Sequence, residues 1–133
     1  MHIHGRCHCG AIAFEADVEP GTVAICHCSD CQAFAGAPYR AMIRPDPASF
    51  EMRGTPKQYL KTADSGRQRA QGFCGTCGSH LYAADPDGKN LSLRIGVIAE
   101  RYELGGPARQ IWCDSALDWA FDLNAVPRSD RQS

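Results

Sequence analysis

Seven of the eight cysteines fall into three tight groups, and no other feature limits the fold as strongly. The groups are Cys7-His8-Cys9, Cys26-His27-Cys28-Ser29-Asp30-Cys31 and Cys74-Gly75-Thr76-Cys77. On an extended backbone, positions i and i+2 point to the same side, so two thiols spaced C-x-C can reach one ion. A tight turn brings the two thiols of C-x-x-C to one point in the same way. An even cysteine count also suits a disulfide framework. The paired spacings, and the lack of an apolar leader in Met1-His2-Ile3-His4-Gly5-Arg6, argue instead for metal binding in a reducing compartment. The expected location is the cytoplasm.

The middle group packs three thiols into six residues. Cys26 and Cys28 point together, His27 points away, and Ser29-Asp30 favours a turn that returns Cys31 to the same place. Zinc is tetrahedral, and three protein ligands leave one position for water or substrate. The simplest division therefore pairs Cys7 and Cys9 with Cys74 and Cys77 in a closed site. It leaves Cys26, Cys28 and Cys31 as an open one, with about two zinc ions per chain. A rival division joins Cys26 and Cys28 to Cys74 and Cys77, and leaves Cys31 with Cys7 and Cys9. The trio could also close with a histidine as a purely structural site.

The remaining candidates have plainer readings. Cys113 sits between Trp112 and Asp114 and reads as a small buried hydrophobe. His8 should face away from the metal, His80 can stand behind the ligands, and His2 and His4 belong on the surface. Arg40, Arg44, Arg67 and Arg69 read as a solvated strand face, with binding of an acidic substrate as the alternative. Trp112, Trp119 and Phe121 read as core.

Elsewhere the chain shows short alternating or β-branched runs between turn signals such as Pro20-Gly21, Asp64-Ser65-Gly66 and Asp85-Pro86-Asp87-Gly88. Strands are expected over 11–16, 22–25, 39–44, 49–53, 57–62, 67–73, 79–84, 91–99 and 108–113. One helical turn is expected over 32–35, stopped by Gly36. No helical period persists, so the class is mainly β. The net charge of −1 gives no electrostatic footprint for nucleic acid. No stretch is long and apolar enough to span a bilayer.

Together these motifs resemble the glutathione-dependent formaldehyde-activating enzyme family, which includes centromere protein V. The resemblance lies in Gly5-Arg6-Cys7-His8-Cys9-Gly10 with Ala11-Ile12-Ala13-Phe14, in the Cys26 to Cys31 group with Gly36, and in Phe73-Cys74-Gly75-Thr76-Cys77-Gly78-Ser79-His80-Leu81-Tyr82. Ile111-Trp112, Trp119 and Val126-Pro127 are similar to its closing segment. This implies one domain over 5–127, followed by a polar tail over 128–133. It implies a zinc-stapled β-tent fold built of small antiparallel sheets. It also implies a structural zinc on Cys7, Cys9, Cys74 and Cys77, and a catalytic zinc on Cys26, Cys28 and Cys31. The implied activity is that of a carbon–sulfur lyase on a thiol–aldehyde adduct such as S-hydroxymethylglutathione, with glutathione and formaldehyde as small-molecule partners. The chain is shorter than the enzymes that give the family its name, and Gln110 stands where the resemblance leads one to expect a histidine.

Three thiolates outweigh the charge of one zinc ion, which favours orientation of a substrate thiol over strong carbonyl activation. His27, Asp30 and His80 are the candidates for a general base. The rival function is a non-catalytic, zinc-stabilised binding module for a protein partner, since the resemblance extends to the fold of a zinc-binding chaperone of small GTPases. The cysteine trio separates the two functions, because a scaffold needs only the other four thiols.

Overall fold

The first strand, β1 (His2–Arg6), buries Ile3 and Gly5 and turns His2, His4 and Arg6 outward. It pairs antiparallel with β2 (Ala13–Asp17), which buries Phe14 and Ala16. Their register sets His4 opposite Glu15 and His2 opposite Asp17. A third strand, β5 (Glu51–Arg53), completes a sheet of order β1-β2-β5. The computed structural model describes residues 1–132.

The second sheet has seven strands. Its members are β3 (Ala24–Cys26), β4 (Arg40–Ile43), β6 (Lys57–Thr62), β7 (Gln68–Phe73), β8 (His80–Ala84), β9 (Ser92–Arg94) and β10 (Arg109–Ile111). The order is β10-β3-β4-β9-β8-β7-β6. All neighbours run antiparallel except β10 and β3, which run parallel. A parallel pair needs a long crossover, and the chain from 27 to 108 provides it. The mainly β class is therefore as expected, but small antiparallel sheets are not the whole of it, because the larger sheet is mixed. Among the described residues α1 (Ser29–Ala35) is the one α-helix, and short 3-10 turns fill several connections.

Both sheets feed one hydrophobic core. Ile3 and Phe14 come from the first sheet, Ile43, Leu81 and Leu93 from the second, and Ile98 and Leu104 from the connection between β9 and β10. That connection explains why the apolar run 91–99 is not one strand. After β9 the chain turns through Ile95–Val97, and the Ala99 N–H donates to the His4 carbonyl at 2.7 Å. The run thus leaves the second sheet to cover the first.

β1 itself escapes the sequence pattern, because half of its buried face is glycine. A Cβ on Gly5 would overlap the Phe14 ring directly across the strand pair, and one on Gly72 would overlap the Tyr82 ring in the same way. The aromatic ring fills the space that the missing side chain leaves. Gly72→Ala is expected to cost about 1–3 kcal/mol, the usual range for overpacking. Urea unfolding of the zinc-loaded protein measures it, and an unchanged midpoint would show that Tyr82 moves aside freely.

The aromatic residues of the closing segment are not core. Trp112 is 61% exposed, Trp119 54% and Phe121 51%. Trp119 and Phe121 lie in the 3-10 turn Asp118–Phe121. Three residues per turn place positions two apart on different faces, so one apolar surface cannot bury both. Cys113 is also exposed, not buried. Trp112 has φ 58, and the 3-10 turn Cys113–Ser115 follows it directly, so this strand ends at Ile111 and the thiol swings outward. No helix among the described residues is long and apolar enough to cross a membrane.

Candidate functional site

Cys7 follows β1, and Cys74 follows β7. Each opens a tight loop. The Gly10 N–H donates to the Cys7 carbonyl at 3.1 Å, and the Gly78 N–H donates to the Cys74 carbonyl at 2.8 Å. The His8 N–H donates to the Ser79 hydroxyl at 3.0 Å and ties the two loops together. Four sulfurs converge here: those of Cys7, Cys9, Cys74 and Cys77 lie within 4.8 Å of one another. Cys7 and Cys9 are 3.6 Å apart, and Cys9 and Cys74 are 3.7 Å apart. Sulfurs at about 2.3 Å from a tetrahedral zinc stand about 3.8 Å from each other, whereas a disulfide needs about 2.05 Å.

Donors surround these sulfurs. The Ile12 N–H points to Cys7 Sγ at 3.3 Å, the Thr76 N–H to Cys74 Sγ at 3.4 Å, and Ser79 Oγ lies 3.3 Å from Cys77 Sγ. The Ser79 hydroxyl, helped by its backbone, holds the Cys77 thiol down to about 5. Cys9 is pushed up to about 11. The Ala11 backbone draws it down, but desolvation and the neighbouring thiols outweigh that. Four thiols this close cannot all shed their protons without a cation among them. The donor set and its spacing fit zinc.

The second cluster is local. Cys26 ends β3, and Cys28 caps α1, its sulfur accepting the Cys31 N–H at 3.3 Å. Gly36, at φ 60, closes the helix, which therefore runs for nearly two turns instead of the expected one. The three sulfurs lie within 4.8 Å of one another. The thiols thus converge as a four and a three, and not in the rival grouping. Cys26 and Cys31 are buried, whereas Cys28 opens onto a cleft of about 710 Å³. Asp30, Lys61, Asp64, Trp112 and Ser115 help to line this cleft. Lys61 Nζ holds Asp30 Oδ2 at 2.7 Å. Such a volume suits a small molecule. A depression along Leu123 to Arg128 carries no thiol, imidazole or carboxylate in its lining.

Burial pushes the Cys31 thiol upward, and the Arg40 guanidinium partly offsets this. Burial acts on Cys28 too, but the Cys31 N–H and the neighbouring thiols outweigh it and hold Cys28 below its usual value.

A pair of cations stands behind the trio, Arg94 buried and Arg40 half-buried. Arg40 lies opposite Cys26 in the strand register, and Arg94 lies opposite Met42. Arg40 Nη1 and Arg94 Nη2 both donate to Gln71 Oε1, at 3.0 and 3.3 Å. Arg94 is buried, and desolvation, then Arg40, push its guanidinium down to about 9, while the Cys31 and Cys26 thiolates favour its charge. Two guanidiniums in such a place need anions, and three thiolates supply them. Sequence reading missed Arg94. The available signal was a single arginine inside Leu91-Ser92-Leu93-Arg94-Ile95, an otherwise mostly apolar run.

The histidines sort clearly. His27 is buried facing Gln110, with Nε2 at 2.7 Å from Oε1, and its ring lies between Tyr39 and Phe121. His80 lies between Phe34 and Phe73, and burial, then Arg94 and Arg40, lower its pKa. Asp30 alone of the three candidate bases lines the cleft. Arg67 and Arg69 are engaged by Asp85, at 3.2 and 3.1 Å. Asn90, then Arg69, hold that carboxyl down to about 2.

The family model described as glutathione-dependent formaldehyde-activating enzyme matches residues 2–115. An uncharacterised lyase of Schizosaccharomyces pombe is 30% identical over 86 residues, which is 65% of this chain. The match spans 60% of that relative's length. The crystal structure of a Rhodobacter sphaeroides protein has a similar fold, with a TM-score of 0.60 at 19% identity. That likeness covers 80% of this chain and 98% of the other.

Proposed function

The chain belongs to the glutathione-dependent formaldehyde-activating enzyme family, and on that premise we propose that it is a zinc-dependent carbon–sulfur lyase acting on a thiol–aldehyde adduct such as S-hydroxymethylglutathione. The functional unit is one domain over 5–127. Cys26, Cys28 and Cys31 hold the catalytic metal, and Cys7, Cys9, Cys74 and Cys77 hold a structural one. The observation that carries this reading is the opening of the trio, through Cys28, onto the 710 Å³ cleft. A scaffold-only role leaves both the trio and the cleft without a use.

A zinc ion on the trio would supply one open position that keeps a substrate sulfur as thiolate. Trp112 offers an aromatic wall for the body of the substrate, and Lys61 a cation for its carboxylates. In the cleavage direction the hydroxymethyl O–H gives its proton to Asp30. The freed electron pair forms the carbonyl of formaldehyde, the carbon–sulfur bond breaks, and the thiolate departs with the bonding pair. Condensation reverses each of these movements. Arg40 and Arg94 offset the charge of the thiolates from behind.

Exchange between free formaldehyde and S-hydroxymethylglutathione can be followed by NMR at equilibrium. The zinc-loaded protein is expected to speed this exchange. Asp30→Asn should lose about a hundredfold or more of that acceleration, as loss of a general base does. Cys113→Ser should keep the full rate. An exchange rate that the wild-type protein leaves unchanged would overturn the proposed substrate.

A further inference from the structure

We infer that His2, His4 and Glu15 form a third metal site, on the outer face of the first sheet, for an exchangeable zinc ion or a divalent ion of similar softness. One ligand atom from each residue lies within 4.8 Å of the other two. Glu15 Oε1 stands 3.4 Å from His2 Nε2 and 3.1 Å from His4 Nε2. Nitrogen and oxygen ligands at about 2.0 Å from a tetrahedral zinc are roughly 3.3 Å apart.

The strand pairing builds this convergence. His2 and His4 are two apart on β1 and face one side, and Glu15 and Asp17 lie directly opposite them on β2. Both rings are oriented from behind. His2 Nδ1 is 2.8 Å from Asp17 Oδ1, and His4 Nδ1 is 2.9 Å from Glu100 Oε2. Glu100 is fixed in turn, because its other oxygen accepts the His4 backbone N–H at 2.6 Å. Metal-ligating histidines characteristically give their second ring nitrogen to a carboxylate in this way.

Proton placement strengthens the case. When the Nδ1–H groups donate to Asp17 and Glu100, the Nε2 atoms of neutral rings present lone pairs. Both lone pairs then face the same carboxylate oxygen, an arrangement that is repulsive unless positive charge lies between them. Two extra protons would supply that charge, and so would one divalent ion. Among the described residues, Glu15, Asp17 and Glu100 form no ion pair with a lysine or arginine. The ligands are exposed histidines and a carboxylate, so this site is weaker and faster to exchange than the thiolate clusters. It can be filled only after they are.

The test uses the full chain with its thiol clusters already loaded with zinc. Equilibrium dialysis against buffered micromolar free zinc, followed by elemental analysis, should find one further zinc per chain. His4→Ala and Glu15→Gln should each abolish that uptake. Glu100→Gln keeps all three ligands, yet should weaken binding by about 10- to 100-fold. Glu19→Gln, a surface carboxylate outside the cluster, should change nothing. Histidine-ring NMR should show both Nε2 resonances moving on zinc addition while the Nδ1 protons stay. This readout also shows whether each variant is folded. No further zinc in the wild-type protein would overturn the site and leave a surface ion-pair network. Uptake that survives both His4→Ala and Glu15→Gln would overturn it equally.

Discussion

Cys74→Ser is expected to erase the cooperative thermal transition of the protein, whereas Cys28→Ser is expected to keep it. Cys74 is 1% exposed and belongs to a cluster that joins residues 7 and 9 to residues 74 and 77. The first pair hangs from β1 of the small sheet, and the second from β7 of the large one. The single hydrogen bond from His8 to Ser79 does not replace that connection. Binding at a structural zinc site is worth about 10–16 kcal/mol, and a domain of this kind is stable by only about 5–15 kcal/mol. Removing one buried thiol therefore removes a term as large as the whole margin. Cys28 sits within one short segment with Cys26 and Cys31, and its structural task is to cap α1. Loss of a cap costs about 1 kcal/mol. Differential scanning calorimetry with zinc counts on both variants tests the contrast. Cys28→Ser should melt cooperatively and carry less zinc. Loss of the transition in both would show that both clusters hold the fold, and would sink the division between a structural and a catalytic site.

The parts of this architecture that were visible in the sequence are the local ones. Spacings of two and three between thiols and a stop at Gly36 are short-range facts, and the structure realises them within single short segments, with the turn expected at Ser29-Asp30 taking the form of the first turn of α1. The strand over 57–62 was placed to the residue, because strong turn signals bound it. Pairing between distant strands was not visible. Nothing in residues 108–113 indicates that β10 lies parallel to β3, and yet that pairing brings Gln110 to His27. β1 was missed because Gly5 conceals a buried position that the Phe14 ring fills. Arg94 was hidden for the opposite reason, as a charged residue in an otherwise mostly apolar run whose partners lie on other strands. Trp112, Trp119 and Phe121 are read as core and are not, because bulk and apolarity do not say whether a late segment reaches the core. Here β9 and the chain after it fill that core with Leu93, Ile98 and Leu104.

In cobalt-substituted protein, glutathione is expected to produce a saturable change in the thiolate-to-cobalt absorption, and Cys28→Ser is expected to abolish it. The reasoning rests on the trio's one-sided exposure. Cys26 and Cys31 face the interior and the Arg40–Arg94 pair, so a fourth ligand can approach only from the cleft beside Cys28. A thiol that coordinates loses its proton outright, and the added thiolate alters the cobalt spectrum. Cys113→Ser should respond as the wild type does, because that thiol belongs to neither cluster. Lys61 separates recognition of the sulfur from recognition of the rest of the substrate. Lys61→Ala should weaken glutathione by about tenfold, the worth of one charge-assisted contact. It should leave 2-mercaptoethanol, which has no carboxylate, unchanged. If neither thiol alters the spectrum, the open position does not exist and the seven thiols serve as scaffold, which returns the chain to the role of a partner-binding module. If both thiols bind but Lys61→Ala affects them equally, the trio stands as a thiol site and glutathione loses its claim as the natural substrate.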